Sequence, residues 1–381
     1  MRKYILYTLF FALLPTLLNA QLRINEVMQS NISLIDDYND FPSSWIELFN
    51  PTEDSISLYH HVIESDTGIY TFGTDTTIPP HSYILLYGDE QYYKLHISFK
   101  VDFEKESTIR LFSPKGILSD SILIPAMQQK GVSYGRDDNG EVGWMTKDTP
   151  GKHNSSISSS FLFSPELSSP SGFYTQPFIV HLKNKNNYKS TTYYTTNGSI
   201  PTINDSIFAD SLVITGTKII RLKTFSEGSI PSDITSYSYL FPDHEITLPV
   251  ISIISDSLYL FDEKKGIYVE GTYNQYKENY KYDWHRFIHI NYFNEKGEVL
   301  LDQPGEMRIA GATSRKLPQK SLAIYSKKRL SGDDFPISFW KEKPNIKKVH
   351  SFLLRNAGND FLLAHLRDAA AQSYAGHTIE K

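Results

Sequence analysis

A mainly β, multidomain protein is what this sequence predicts, and three observations carry that reading. Aromatic residues are abundant, with 25 Tyr and 22 Phe beside many Ser and Thr, a mixture that favours strands over helices. The apolar residues of the first half fall in short alternating runs broken by turn clusters, without a helical period. The chain of 381 residues is also long enough for two or three separate cores. A composition 40% hydrophobic and 21% charged excludes general disorder. The net charge of −5 is unevenly spread: from Asp243 onward 20 Lys and Arg face 18 Asp and Glu, so the C-terminal part is the relatively basic one.

Residues 1–20 read as an export signal. Arg2 and Lys3 precede the apolar run "YILYTLFFALLPTLL", and "LNA" before Gln21 supplies a cleavage site. The run is short for a spanning helix, which needs about 20 residues, and no later segment is apolar enough to span. The expected location is therefore periplasmic, cell-surface or extracellular, with no transmembrane segment after cleavage. The chain has no cysteine, so disulfides and thiolate metal sites are excluded and core packing must hold the fold together.

The segment 21–154 contains "LRINEVMQS", "SWIELFNP", "SYILLYG" and "TIRLFSPKG". In "WIELFNP", Trp45, Glu47 and Phe49 alternate with Ile46 and Leu48 until Asn50-Pro51 ends the run. Many such strands predict a β-sandwich. The spaced order "INEVMQSN", "DFPSSWIELFNPTEDSISL", "IPPHSYILLYGD" and "LFSPKG", continuing to "TPGKHN", resembles a bacterial lamin-tail domain, which implies an immunoglobulin-like sandwich. The acidic run "DDYNDFPSSWIE" invites a calcium reading. Phe41 and Pro42 interrupt the alternation of oxygen ligands such a loop needs and no Gly is present, so a solvated turn is the expectation.

The small polar stretch 154–160, "NSSISSS", reads as a linker into the segment 155–242. There "YYTTNGSIPT" carries Asn197-Gly198, a hairpin signal, and "IIRLKTF" alternates as a half-buried strand does. The stretch resembles the small β-domain at the C-terminus of chitobiase and related hexosaminidases, implying a second small β-sandwich. Tyr193, Tyr194, Tyr237 and Tyr239 are the candidates for stacking on a glycan, with a spacer role as the alternative.

In the segment 246–381, strands are expected at Phe287–Phe293, Gly305–Ala310 and Ser321–Tyr325, with "NEKGE" turning between the first two. A further strand in "SFLLR" leads to a helix capped by Asn359 or Asp360 and ended by Gly376. Leu362, Leu363, Leu366, Ala369, Ala370 and Ser373 share one face of that helix, and its far side is nearly as apolar, so it expects covering from more than one direction. Between Arg308 and Lys348, eleven Lys and Arg stand against three Asp and Glu, a patch suited to a polyanion or simply a solvated basic face.

The order "LPVISIISD", "LFDEKKGIYVEG", "MRIAGATSRKLPQKSLAIY", "LLRNAGNDF" and "LRDAAAQ" resembles the start of the spore-coat CotH kinase family. That resemblance implies a partial α+β kinase-like small lobe, ATP and Mg²⁺ as cofactors of the complete family domain, and a protein substrate. On it, Lys320 pairs with nucleotide phosphates, while Gly311, Thr313, Ser314 and Arg315 lie where backbone N–H groups and a guanidinium meet phosphate oxygens. The large-lobe Asp and Asn residues that hold Mg²⁺ and orient the hydroxyl are not found after Lys320, so a truncated or fragmentary, catalytically incomplete form is expected.

Two functions from different classes stay open. The parent protein is an ATP-dependent kinase of surface or secreted proteins, or the two β-domains form a cell-surface adhesion module for protein or glycan with no enzymatic activity. No nucleic-acid partner is expected. The twelve His are scattered without an HExxH pattern, and no GxSxG elbow or GxxxxGK[ST] loop occurs.

Overall fold

The computed structural model describes residues 22–33, 43–90, 95–183, 189–272, 278–339 and 345–357. The export signal at 1–20, most of the acidic run from Asp36 and the helix read at 359–376 lie outside the described residues. Within them the protein is mainly β, and its helical elements are single turns such as Ser257–Phe261 and Lys328–Ser331.

The first part is a sandwich of two sheets. One has the spatial order Ile157–Ser158, Val142–Met145, Tyr134–Arg136, Arg23–Met28, Ser44–Phe49, Tyr83–Gly88, His96–Ile97. The other runs Leu118–Ile124, Ser107–Phe112, Val62–Ser65, Gly68–Thr71. Alternation in Ser107–Phe112 turns Ile109 and Leu111 inward, where they meet Ile46, Leu48 and Leu86 of the opposite sheet. The central strand Ser44–Phe49 is covered on both faces, so that Trp45 and Glu47 are as buried as Ile46 and Leu48. The stretch expected to be a linker supplies a strand instead: Ile157 and Ser158 pair with Met145 and Trp144. Backbone pairing does not need apolar side chains, and Ile157 lies over Gly143, where a Cβ would come within 2.9 Å of it.

The second part has a five-stranded sheet, in the order Gly172–Phe173, Thr235–Leu240, Lys218–Phe225, Thr191–Thr195, Ser206–Ile207, and the pair Phe178–His181 with Ser211–Ile214. Leu167, Val180, Ile214, Ile220, Leu222 and Tyr239 fill the space between. Asn197 and Gly198 do turn the chain, with Gly198 at φ +84°. The returning strand begins only at Ser206, because Pro201 cannot donate to a ladder and Thr202 instead caps back on Asp205. "IIRLKTF" is also more deeply placed than alternation predicts. Ile220, Arg221 and Leu222 are all buried, since the outer face is covered by the third part, with the Arg221 guanidinium 5.7 Å from the Phe287 ring.

The third part is an antiparallel meander of five strands in sequence order: Val250–Ile254, Arg286–Phe293, Val299–Ala310, Ser321–Tyr325 and Ser351–Leu354. Its third strand starts six residues before the expected Gly305. Pro304 is tolerated because pairing with the fourth strand ends at Glu306, leaving that side without a ladder to interrupt. Met307, Ile309, Ile324 and Phe335 pack on Ile288, Ile290 and Trp284. A small apolar cluster joins all three parts: Ile32 from the first, Phe287 and Leu330 from the third, with Ile200 and Ile234 of the second against them.

Candidate functional site

Lys320 stands immediately before the strand Ser321–Tyr325 and is 7% exposed. Its place is fixed from both sides. The Lys320 amide donates to the Tyr268 hydroxyl at 2.9 Å, while the Asn356 side chain donates to the neighbouring Gln319 carbonyl and accepts from Ser321. The Lys320 ammonium donates to the carbonyls of Arg315 at 2.6 Å and Leu317 at 3.0 Å. It lies 4.2 Å from the Tyr280 ring centre and 5.3 Å from that of Tyr268, a cation–π arrangement. Burial pushes its pKa below the usual lysine value, and the charge of Glu270 works the other way. Among the described residues, carbonyls and ring faces rather than a carboxylate meet this ammonium.

The preceding loop is built by Gly311 and a turn of 3-10 helix, Thr313–Lys316. Gly311 is at φ +100°, and a Cβ there would meet the Ser314 hydroxyl at 2.3 Å, so glycine is required. The Arg315 side chain folds back over the loop. Its Nε donates to Gly311 O at 2.7 Å and its Nη1 to Lys281 O at 2.7 Å. Arg315 Nη2 reaches Asp283 Oδ1 at 2.6 Å, and Arg308 Nη1 reaches the same oxygen at 2.8 Å. Burial raises the pKa of Asp283, but the Arg315 hydrogen bond and the Arg308 and Arg315 charges outweigh it and hold the carboxyl below its usual value. Lys316 lies beside Glu278 at 3.7 Å.

Four of the five residues singled out in the sequence are thus in one loop with Lys320 at its end, and Thr313 and Gly311 are exposed. The sequence reading missed Tyr268, Tyr280, Asp283 and Asn356. "GIYVEGTY" and "LLRNAGND" were legible as motifs, but nothing in them says which side chain turns to Lys320. Ammonium and guanidinium groups are of the type that phosphate oxygens accept from, and here carbonyls and ring faces engage Lys320, carbonyls and Asp283 engage Arg315, and Asp283 and the Tyr325 hydroxyl engage Arg308. Among the described residues no group of three His, Asp or Glu converges as metal ligands would. A cleft of about 720 Å³ opens elsewhere, between Lys327–Arg329 and the first sandwich at Asp89 and Asp102, and none of the five residues lines it.

The tyrosines proposed for glycan stacking divide. Tyr239 is fully buried, its hydroxyl donating to Ser169 O and its ring packed edge-on against Tyr174 and Phe178, so it has no face to offer. Tyr237 packs against Tyr239 and its hydroxyl accepts from the Leu167 amide. Tyr193 and Tyr194 are half-buried, edge-on to Phe225 and Phe208.

Residues 17–124 match the Lamin Tail Domain family, and residues 169–236 match the Chitobiase/beta-hexosaminidase C-terminal domain. No curated protein sequence matches the chain. Among solved structures, red sea bream transglutaminase overlaps 56% of this chain and 31% of its own at 10% identity, with a TM-score of 0.17. A fragment of the ICAM-5 D1–D4 ectodomain overlaps 74% of this chain and 70% of its own at 8% identity, with a TM-score of 0.15. Overlaps of that size do not bear on how the sheets are arranged. No helix among the described residues is long and apolar enough to cross a membrane.

Proposed function

We propose that this is an exported modular protein of CotH kinase-like type. In this reading the lamin-tail and chitobiase-like β-modules engage a surface or secreted protein, and the third sheet is a nucleotide-binding small lobe. The observation that carries the reading is Lys320: a buried ammonium at the start of a strand, closing a glycine-turned loop whose Arg315 shares Asp283 with Arg308, with carbonyls and rings as its partners. A phosphate brought there would give Lys320 the negative partner it lacks in that shell and would gain charge-assisted hydrogen bonds from Arg308 and Arg315. ATP is the cofactor proposed. The described residues offer no cluster for Mg²⁺, so no chemical step is assigned to a metal.

The test is calorimetric titration of the whole chain with ATP, with and without Mg²⁺, alongside Lys320→Ala and Lys320→Met, the fold being followed by circular dichroism. The expected result is binding by the wild type that weakens more than tenfold in both folded variants. A folded wild type that takes up no ATP would sink the proposal.

A second reading has its own observation in support. The same two carbonyl bonds at 2.6 and 3.0 Å suit a lysine that merely closes its loop. The protein would then be a binding or adhesion module with no enzymatic activity, and its attachment to cell-surface protein or glycan would survive Lys320→Ala unchanged.

A further inference from the structure

Asp283 is the only carboxylate among the described residues that the guanidiniums of Arg308, on the strand, and Arg315, in the loop, share, and it is the most open member of the group. Its side chain is 62% exposed, against 24% for Arg308 and 13% for Arg315. Both guanidiniums have other anchors. Arg315 is held by Gly311 O and Lys281 O. Arg308 Nε donates to the Tyr325 hydroxyl at 3.0 Å, and its guanidinium donates also to Ile309 O. If Asp283 turned away, both forks would stay where they are, because backbone carbonyls and a tyrosine fix them. The movement required is a rotamer change of one surface side chain.

We propose that Asp283 is a resident counter-ion that occupies the place of a ligand phosphate between Arg308 and Arg315, and that a phosphate ligand enters by displacing it. The inference rests on the nucleotide reading above and names how that site is regulated. A carboxylate brings one negative charge and two acceptor oxygens. A terminal phosphate brings up to two charges and three acceptors, so on the same pair of guanidiniums it makes more charge-assisted bonds. An internal anion in that place also sets a threshold. Carboxylates and weakly charged solutes gain nothing over Asp283, whereas a polyphosphate does.

The experiment is titration of the whole chain with ATP and, separately, with inorganic tripolyphosphate, comparing wild type, Asp283→Asn and Asp283→Glu. Asp283→Ser is a second charge-removing variant, so that failure of one variant to fold leaves the measurement intact. Removing the competing charge is expected to tighten both ligands about tenfold, while Asp283→Glu behaves as wild type. Unchanged or weaker binding in Asp283→Asn and Asp283→Ser, with a wild type that binds ATP through Lys320, would overturn the inference and leave the nucleotide reading standing. If no variant binds either ligand, both fall together.

Discussion

Glu306 in the third sheet and the pair Glu26 and Glu47 in the first sandwich are the same kind of side chain under the same cover, at 2%, 0% and 0% exposure. Their surroundings differ. Burial opposes the charge on Glu306, but Arg329, a hydrogen bond from His285 and Lys327 outweigh it and hold the carboxyl at about 2. Glu26 and Glu47 face each other across neighbouring strands and, among the described residues, receive only neutral donors. Glu26 accepts from the Ser133 hydroxyl and from the Thr149 amide and hydroxyl, and Glu47 accepts from the Gly151 amide and the Asn25 side chain. Burial is the dominant influence there, raising the two to about 7 and about 8. Neutral hydrogen bonds soften desolvation without cancelling it, whereas adjacent cations cancel it and more.

The largest expected effect of a single substitution comes from breaking the cationic side of this contrast. Arg329→Met leaves Glu306 buried with its main partner gone, which costs about 3–5 kcal/mol. Urea unfolding at neutral pH should show that loss, and adding Glu306→Gln should recover much of it. A single variant as stable as wild type would mean that Arg329 does not govern Glu306.

The next effect is a pair of opposite pH slopes in one chain. Glu306 lies below its ordinary 4.5, so its contribution is complete above about pH 4.5 and is lost as pH falls through about 2. Glu26 and Glu47 lie above 4.5, so their contribution is complete below that value and is lost as pH rises through about 7 to 8. Amide exchange resolved by segment, and corrected for its intrinsic pH dependence, should show the first sandwich losing on the order of 6 kcal/mol between pH 5 and 8, somewhat more than half of it through Glu47. Over that range the third sheet should stay level, and Glu47→Gln should cut the slope of the first by roughly half, Glu26 keeping the rest. Parallel slopes in the two sheets would contradict the assignment. The smallest effect is that of His285→Gln, which replaces the imidazole beside Glu306 by a neutral amide donor. A loss of roughly 1 kcal/mol is expected at pH 6 in urea unfolding, and a loss as large as that of Arg329→Met would reverse the order of the two partners.

Much of the fold was legible, because period-two alternation survives wherever one sheet face is buried. Arg286–Phe293 and Ser321–Tyr325 fall within a residue of their expected places. What failed did so for physical reasons. Pro304 looks like a strand breaker until the missing neighbour on its outer side is known, and Ile157–Ser158 is polar enough to pass for a linker. Arg221 sits on a face that faces water in an isolated module and is covered by the third part here. The loop Gly311–Lys320 was legible locally, as a small polar break between two strand runs. Tyr268 is 52 residues from Lys320 and Asp283 is 32 from Arg315, and no local pattern records which distant side chains a sheet will bring together. The same limit hid the carboxylate pair, since nothing in "RINEVM" or "SWIELF" marks Glu26 and Glu47 as inward-facing partners.

The turn at Gly198 has a consequence for how such a protein changes over evolutionary time. A Cβ at that position would come within 2.2 Å of the Ser255 carbonyl, and the Gly198 carbonyl receives the buried Arg221 guanidinium. The turn of one module is therefore moulded to the backbone of the next. A recombination event that replaced the chitobiase-like module with a cousin carrying any other residue at this turn would bring a steric collision. The two modules are expected to be inherited as a unit, and a search for new combinations would find its permissive crossover points away from this seam.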